Sequence, residues 1–367
     1  MKLRKKYILP YIFIFFTSMF YIIKNSVLGF RGIEIALIIG ICAGILHVFL
    51  AFRKTKKNQA IVIGLFAIIT IYAARSSDTR MIVSFICILV AEYTDLDRMV
   101  RALLYSHMLF FTIAMIAGGT GHINSVGMHV AVIMSLYICH KGLPLTKRKA
   151  MLLWLAYIAC AIYTKSSSFV VSMGIGLLLA TFYREEIIRK ILRSRVVYGI
   201  FPIVLLTNVL LCTMIAPHYF PWVRRLGFVY EILRKLAMIV DGVSSSRIIL
   251  GAESLHRFGI SVLGGNIYYE TMFDGYSYFQ VDSGMLWLLQ GWGILMTLVL
   301  MVLFTYMMGR LQQKKLYEYI IMAIVICLIS LNEDVLVSVL FNMMFFILGN
   351  MLGFRDNMTR RMNHGYT

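Results

Sequence analysis

Ala216-Pro217-His218-Tyr219-Phe220-Pro221-Trp222-Val223-Arg224-Arg225 opens, and Phe279-Gln280-Val281-Asp282-Ser283 closes, the only long polar interval of the chain, residues 215–283. On either side one apolar run follows another, and that contrast decides the class. Hydrophobic residues make up 60% of the sequence, charged residues only 14%, and the mean hydropathy is +0.80. Soluble domains carry about 25% charged residues. The reading is an all-α polytopic membrane helix bundle, because a helix satisfies its own backbone hydrogen bonds where no water is present.

Apolar runs long enough to cross ~30 Å of hydrocarbon as helices recur about twelve times. They lie near 7–23, 33–51, 60–74, 81–93, 102–118, 126–140, 150–163, 169–183, 196–215, 284–309, 318–332 and 335–353. The fourth, seventh and eighth are short enough to be buried half-helices or re-entrant segments. The chain thus divides into membrane helices over 1–214, one extracytoplasmic loop over 215–283, further membrane helices over 284–354 and a tail over 355–367.

Charge orients the bundle. Clusters such as Lys2-Arg4-Lys5-Lys6, Arg53-Lys54-Lys56-Lys57, Lys147-Arg148-Lys149, Arg184 to Arg195 and Lys314-Lys315 alternate with short loops that keep only Lys24, Arg31, Arg75, Arg80 and Lys165. By the positive-inside bias, both termini lie in the cytoplasm. The net charge of +19 is therefore topological and faces anionic membrane lipid, so it calls for no nucleic-acid partner. The first apolar run follows a basic N-terminus but lacks a small-residue cleavage site, so it reads as a retained helix.

The six cysteines fall in or at the ends of spans without CxxC spacing, so neither a disulfide framework nor a metal site is indicated. No nucleotide-binding motif appears, and no cofactor is called for. His47, His107 and His129 are the only ionisable residues well inside spans, and each reads as a packed histidine before a relay member. The polar chemistry lies at the outer face.

Within the loop, residues 222–241 form an amphipathic helix on paper. Leu226, Val229, Tyr230, Leu233, Leu236 and Val240 share one stripe, with Arg224, Arg225, Glu231, Arg234 and Lys235 around the rest. Such a helix suits the outer leaflet as a guide for a lipid-phosphate substrate, or equally a solvated cap. Ser244-Ser245-Ser246-Arg247 then opens a second helix to about Phe258, with serines suited to cap it. An arginine in a first turn opposes the helix dipole unless an anion is nearby, and a phosphate there would resolve the conflict. Glu253 and Arg257 are spaced for an ion pair, and His256 is the most attractive general base of the loop or else a surface histidine. The aromatics Tyr268 to Phe279 suit sugar rings or an interfacial belt.

In order, Arg75-Ser76-Ser77-Asp78-Thr79-Arg80, Gly121-His122-Ile123-Asn124-Ser125-Val126-Gly127, Ser246-Arg247 with Phe258-Gly259-Ile260-Ser261-Val262-Leu263-Gly264-Gly265, Val281-Asp282-Ser283-Gly284-Met285-Leu286-Trp287, and Glu333 with Asn342 resemble a known family. It is the Wzy-type repeat-unit polymerases of capsular, exopolysaccharide and O-antigen assembly, related to the O-antigen ligases. The chain departs from it at Thr164-Lys165-Ser166, where a Ser-Arg pair is usual, and in having no proline near Asn124.

The resemblance implies a GT-C-like fold and glycosyl transfer at the outer face of the bacterial plasma membrane. The donor would be an undecaprenyl-diphosphate-linked glycan, with a flippase and a chain-length regulator as partners. Catalysis would fall to His256, Arg247, Asp282 and Glu333. Arg75, Arg80, His122, Asn124, Arg224, Arg225, Arg234 and Glu253 would bind the diphosphate or the glycan. Arg247, Arg75 and Arg80 are the expected clamp on the diphosphate; His256, then Asp282 or Glu333, the expected base. A ligase using the same residues, a transporter or flippase, and a non-catalytic scaffold are the alternatives.

Overall fold

The computed structural model describes residues 8–52, 67–75, 80–92, 94–120, 123–267, 282–336 and 343–352. Their regular structure is helical, apart from one isolated bridge between Ser26 and Thr120. The first half comprises α1 (Ile8–Lys24), α2 (Glu34–Phe52), α3 (67–75), α4 (Arg80–Glu92), α5 (Leu96–Ile116), α6 (Ile123–Lys141), α7 (Lys147–Thr164) and α8 (Ser167–Thr181). There follow α9 (Glu186–Arg193), α10 (Ile200–Ile215), α11 (Phe228–Val243) and α12 (Arg247–Phe258). The C-terminal part holds α13 (Gly284–Trp287), α14 (Gly293–Gln313), α15 (Tyr317–Ile329) and α16 (Met344–Leu352).

Among the described residues five helices are long and apolar enough to cross a membrane, six if the bent pair α8–α9 counts as one span. Their outward faces carry large apolar side chains, among them Ile35, Ile38, Leu46 and Phe49 of α2, each at least 47% exposed. A watery surface disfavours such a face and a lipid surface favours it. The chain is a helical, membrane-embedded protein.

Helix ends differ from the hydropathy-based limits because hydrogen bonds rather than apolarity set them. α5 starts six residues before the predicted 102, where Asp95 accepts a bond from Arg98 N at 3.1 Å and Arg101 pairs with Asp97. α7 likewise starts at Lys147 behind Thr146, which accepts from Lys149 N. Charged first turns are helical yet invisible to a hydropathy window.

α15 sits at the centre. Nearly all its residues are buried, including Tyr317, Tyr319, Ile320 and Ile321. With 13 residues its helix covers about 20 Å, less than the hydrocarbon thickness. Elsewhere in the bundle α16 approaches α4 so closely that a Cβ on Gly349 would stand 2.0 Å from the carbonyl oxygen of Ile88.

The apolar run predicted at 284–309 is helical over 284–313, with a π turn inside it. α13 passes through a π turn, Leu288–Trp292, before α14 begins at Gly293, whose φ of +83° suits only glycine well. The irregular stretch 261–265 runs against this π turn: Ser261 and Val262 carbonyls accept from Ile294 N and Leu295 N at 3.0 and 3.1 Å, and Gly265 N donates to Gln290 O.

The predicted helix over 222–241 is two elements, a 3-10 turn Pro221–Leu226 and α11, separated by Gly227 at φ +55°. The single stripe divides accordingly. Tyr230 is buried with Ala237, and Leu233 and Val240 pack on the core, whereas Leu226, Val229 and Leu236 face outward with Phe228, Ile232 and Ile239. α11 therefore has one apolar flank for the bundle and another for its surroundings.

Candidate active site

α12 starts where the sequence placed it, but the serines do not cap it. Ser246 stands at φ +64° without a side-chain cap bond, and Asp241 Oδ1 accepts from Ile249 N at 3.0 Å instead. Two residues in the left-handed region, Ser245 and Ser246, turn the chain so that Arg247 enters the bundle. The unfavourable first-turn arginine is balanced by the carboxylates of Asp282 and Glu333.

Arg247 Nε pairs with Asp282 Oδ2 at 3.1 Å, and its Nη1 binds Glu333 Oε1 and donates to the Asn332 carbonyl at 2.6 Å. All three side chains are largely withdrawn from solvent, Glu333 most of all at 7% exposed. Burial pushes the Glu333 carboxyl up to about 7; Arg247 pulls it down, and Asp282 and Asp334 add to the rise. The adjacent Asp334 holds Arg80 at 3.3 Å, and the Arg80 guanidinium lies over the Trp287 ring, 4.4 Å from its centroid. Two arginines and three carboxylates thus meet at one end of α15.

Long-range hydrogen bonds hold this cluster. Gly284 N donates to Glu333 O and Met285 N to Ser330 O, docking the start of α13 on the end of α15. Asn208, buried in the middle of α10, donates to Ser283 Oγ at 3.1 Å and to Leu331 O at 2.9 Å. It ties Ser283, next to Asp282, to Leu331, two residues before Glu333. Gln290 in the π turn donates to the carbonyls of Ser254 and Gly259, and its Oε1 accepts from Ser254 Oγ, so the membrane helix grips α12.

Asn208 and Gln290 were not among the candidates read from the sequence. The available signal was a lone amide in an apolar run, which must find partners when buried. We predict that Asn208→Leu, leaving Ser283 Oγ and the Leu331 carbonyl short of a donor, destabilises the protein by about 1–3 kcal/mol. Thermal unfolding in detergent measures this, and an unchanged midpoint counts against the bracing role.

The structure separates His256 from the cluster. His256 lies nine residues beyond Arg247 on α12, hence about 13 Å along the axis and on the opposite face. Its exposed ring stacks on Tyr219 with centroids 4.3 Å apart. From there His256 does not reach the groups around Arg247. Glu253 pairs with Arg257 on the exposed side, as its spacing predicts. Arg224 and Arg225 are exposed on the 3-10 turn, Arg234 is half-buried on α11, and Arg75 is exposed at the end of α3. Asn124 occupies the first turn of α6, half-buried. His122, Asn342 and the aromatics from Tyr268 to Phe279 lie outside the described residues.

Of the histidines inside spans, two meet. His107 Nε2 and His129 Nδ1 are 2.8 Å apart between α5 and α6, both fully buried.

No protein-family model, curated protein or solved structure matches this chain.

Proposed function

We propose that the protein is a glycosyltransferase that joins lipid-diphosphate-linked oligosaccharide repeat units into a surface polysaccharide. The proposal includes about twelve spans with both termini in the cytoplasm, a GT-C-like bundle and an active site at the outer face of a bacterial plasma membrane. The observation that carries it is the half-buried Arg247 between Asp282 and Glu333, beside a second arginine, Arg80. A fixed guanidinium recognises a diphosphate in a fork geometry, and a carboxylate poised near neutrality accepts a proton at working pH.

In the reaction, a hydroxyl of the acceptor sugar attacks the anomeric carbon of the donor. The new C–O bond forms as the bond to the lipid diphosphate breaks, and the diphosphate leaves with that electron pair. Arg247 and Arg80 offset its developing charge, and the hydroxyl proton passes to Glu333, which replaces His256 as base in this reading. α11 and the arginines of the Pro221–Leu226 turn line the approach for an anionic lipid headgroup. A flippase and a chain-length regulator remain the partners that this activity implies.

The test uses membranes holding the protein and a lipid-diphosphate-linked oligosaccharide. Wild type should extend it into a ladder of repeats with release of the lipid diphosphate. A glycan transferred once to another acceptor would indicate a ligase, and substrate crossing the membrane unextended would indicate a transporter. His256→Ala should keep most activity, because His256 stands apart from the cluster.

Glu333 gives a pH signature. Below about 7 its carboxyl is protonated and cannot take the hydroxyl proton, so kcat/KM should rise with pH through about 7 and level off. Glu333→Gln should be slow and lack that limb. Stability should run the other way: the raised carboxyl favours the folded state at acid pH, and that contribution is lost as pH rises through about 7. A pH–rate profile beside pH-dependent melting checks both signs.

A further inference from the structure

α9 is set apart from its neighbours. After α8 the chain bends by 116° at Phe182–Glu185, so if α8 runs across the bilayer, α9 lies close to the membrane plane. Its depth follows from α14. Gln312, at the far end of that helix, donates to the Leu192 carbonyl at 2.9 Å and the Ser194 carbonyl at 3.3 Å. The other end of α14, at Gly293, is bound to the stretch that follows α12. Twenty-one helical residues separate these ends by about 30 Å, the thickness of the hydrocarbon, so α9 sits at the face opposite Arg247.

Around its axis α9 has three sectors. Leu192 and Ile188 face the bundle, Leu192 with no exposure at all. Ile187 and Ile191, 73% and 46% exposed, form a second apolar flank, joined by exposed Phe182 before the helix and Val196 after it. Arg189, Lys190 and Arg193 occupy the polar side with Glu186, and Arg184 and Arg195 bracket the ends. Lys190 pairs with Glu186 at 3.0 Å, which leaves four exposed arginines without an acidic partner among the described residues.

An exposed apolar flank beside unneutralised guanidinium groups, level with one membrane face, matches one ligand chemistry. Acyl chains cover the isoleucines while phosphate headgroups meet the arginines. We propose that α9 with Arg184, Arg189, Arg193 and Arg195 is a binding site for anionic phospholipid on the face opposite the Arg247 cluster. This site does not depend on the glycosyltransferase reading.

The test is native mass spectrometry of the full chain from detergent, titrated with phosphatidylglycerol or phosphatidylcholine. Wild type should prefer phosphatidylglycerol by about tenfold or more, given the contribution of each basic side chain near anionic lipid. The quadruple variant Arg184→Gln, Arg189→Gln, Arg193→Gln, Arg195→Gln should bind both lipids alike, and the corresponding quadruple Lys variant should keep the preference. Should the Gln variant fail to fold, the wild-type preference must still weaken as NaCl is raised, because exposed charges are screened. Equal binding of the two lipids by wild type, a preference retained by the Gln variant, or a preference insensitive to salt overturns the proposal.

Discussion

Arg247→Ala is expected to lower repeat-unit extension by at least about 10²-fold, the loss seen when one preorganised charge-stabilising donor is removed from a transition state. The substitution also leaves Asp282 and Glu333 facing each other without a cation in a nearly dry site. Breaking a buried pair from one side destabilises by about 3–5 kcal/mol, so protein abundance must be matched before activity is compared. Arg247→Lys separates the two effects. It keeps the charge, and with it most of the fold, but it lacks the planar fork that engages Asp282, Glu333 and the Asn332 carbonyl at once. The expected result is a folded protein with accumulated lipid-linked single repeats and few long chains. Normal chain lengths in Arg247→Lys and in Arg247→Ala at matched abundance would remove Arg247 from the chemistry.

Gly264→Ala is expected to be the most damaging small substitution in the loop. Its φ is +75°, and a Cβ there would stand 2.1 Å from the Gly291 carbonyl oxygen and 2.8 Å from the Trp292 carbonyl carbon, both backbone atoms of the π turn. Neither can swing aside as a side chain can. Strain and overpacking together set a loss of about 3 kcal/mol or more. The clash would push residues 261–265 away from the start of α14, withdrawing the acceptors of Ile294 N and Leu295 N and loosening the grip of Gln290 on α12. Gly265→Ala is the control: a Cβ there meets nothing within 4 Å, so its melting temperature should stay close to wild type. Similar melting of the two variants would show that the close approach does not hold the loop.

Arg247 was legible as an anomaly. An arginine in the first turn of a helix opposes the dipole, so the sequence announced a missing anion without saying which. Asp282 and Glu333 were legible as carboxylates at span ends, but their meeting at one guanidinium was not, because they lie 35 and 86 residues along the chain. His256 attracted attention for its chemistry alone, and helix geometry turns it to the opposite face. The serine cap failed for a related reason: Asp241 reached the same N–H from the preceding helix, and the serines were used to turn the chain. His107 and His129 read as separate packed residues until helix packing brought them to 2.8 Å.

Composition and run length by themselves determined that this chain is helical and membrane-embedded, and they located most helices within a few residues. Those properties are local: the burial of apolar side chains and the pairing of backbone groups within one segment depend on residues a few positions apart. Which polar groups face one another was decided only by the tertiary structure. The docking of α13 on the end of α15 and the grip of Gln290 on α12 bring Arg247, Asp282 and Glu333 together. Burial then gives that cluster a carboxyl near neutrality, and burial is a property of the packed bundle that no single segment carries.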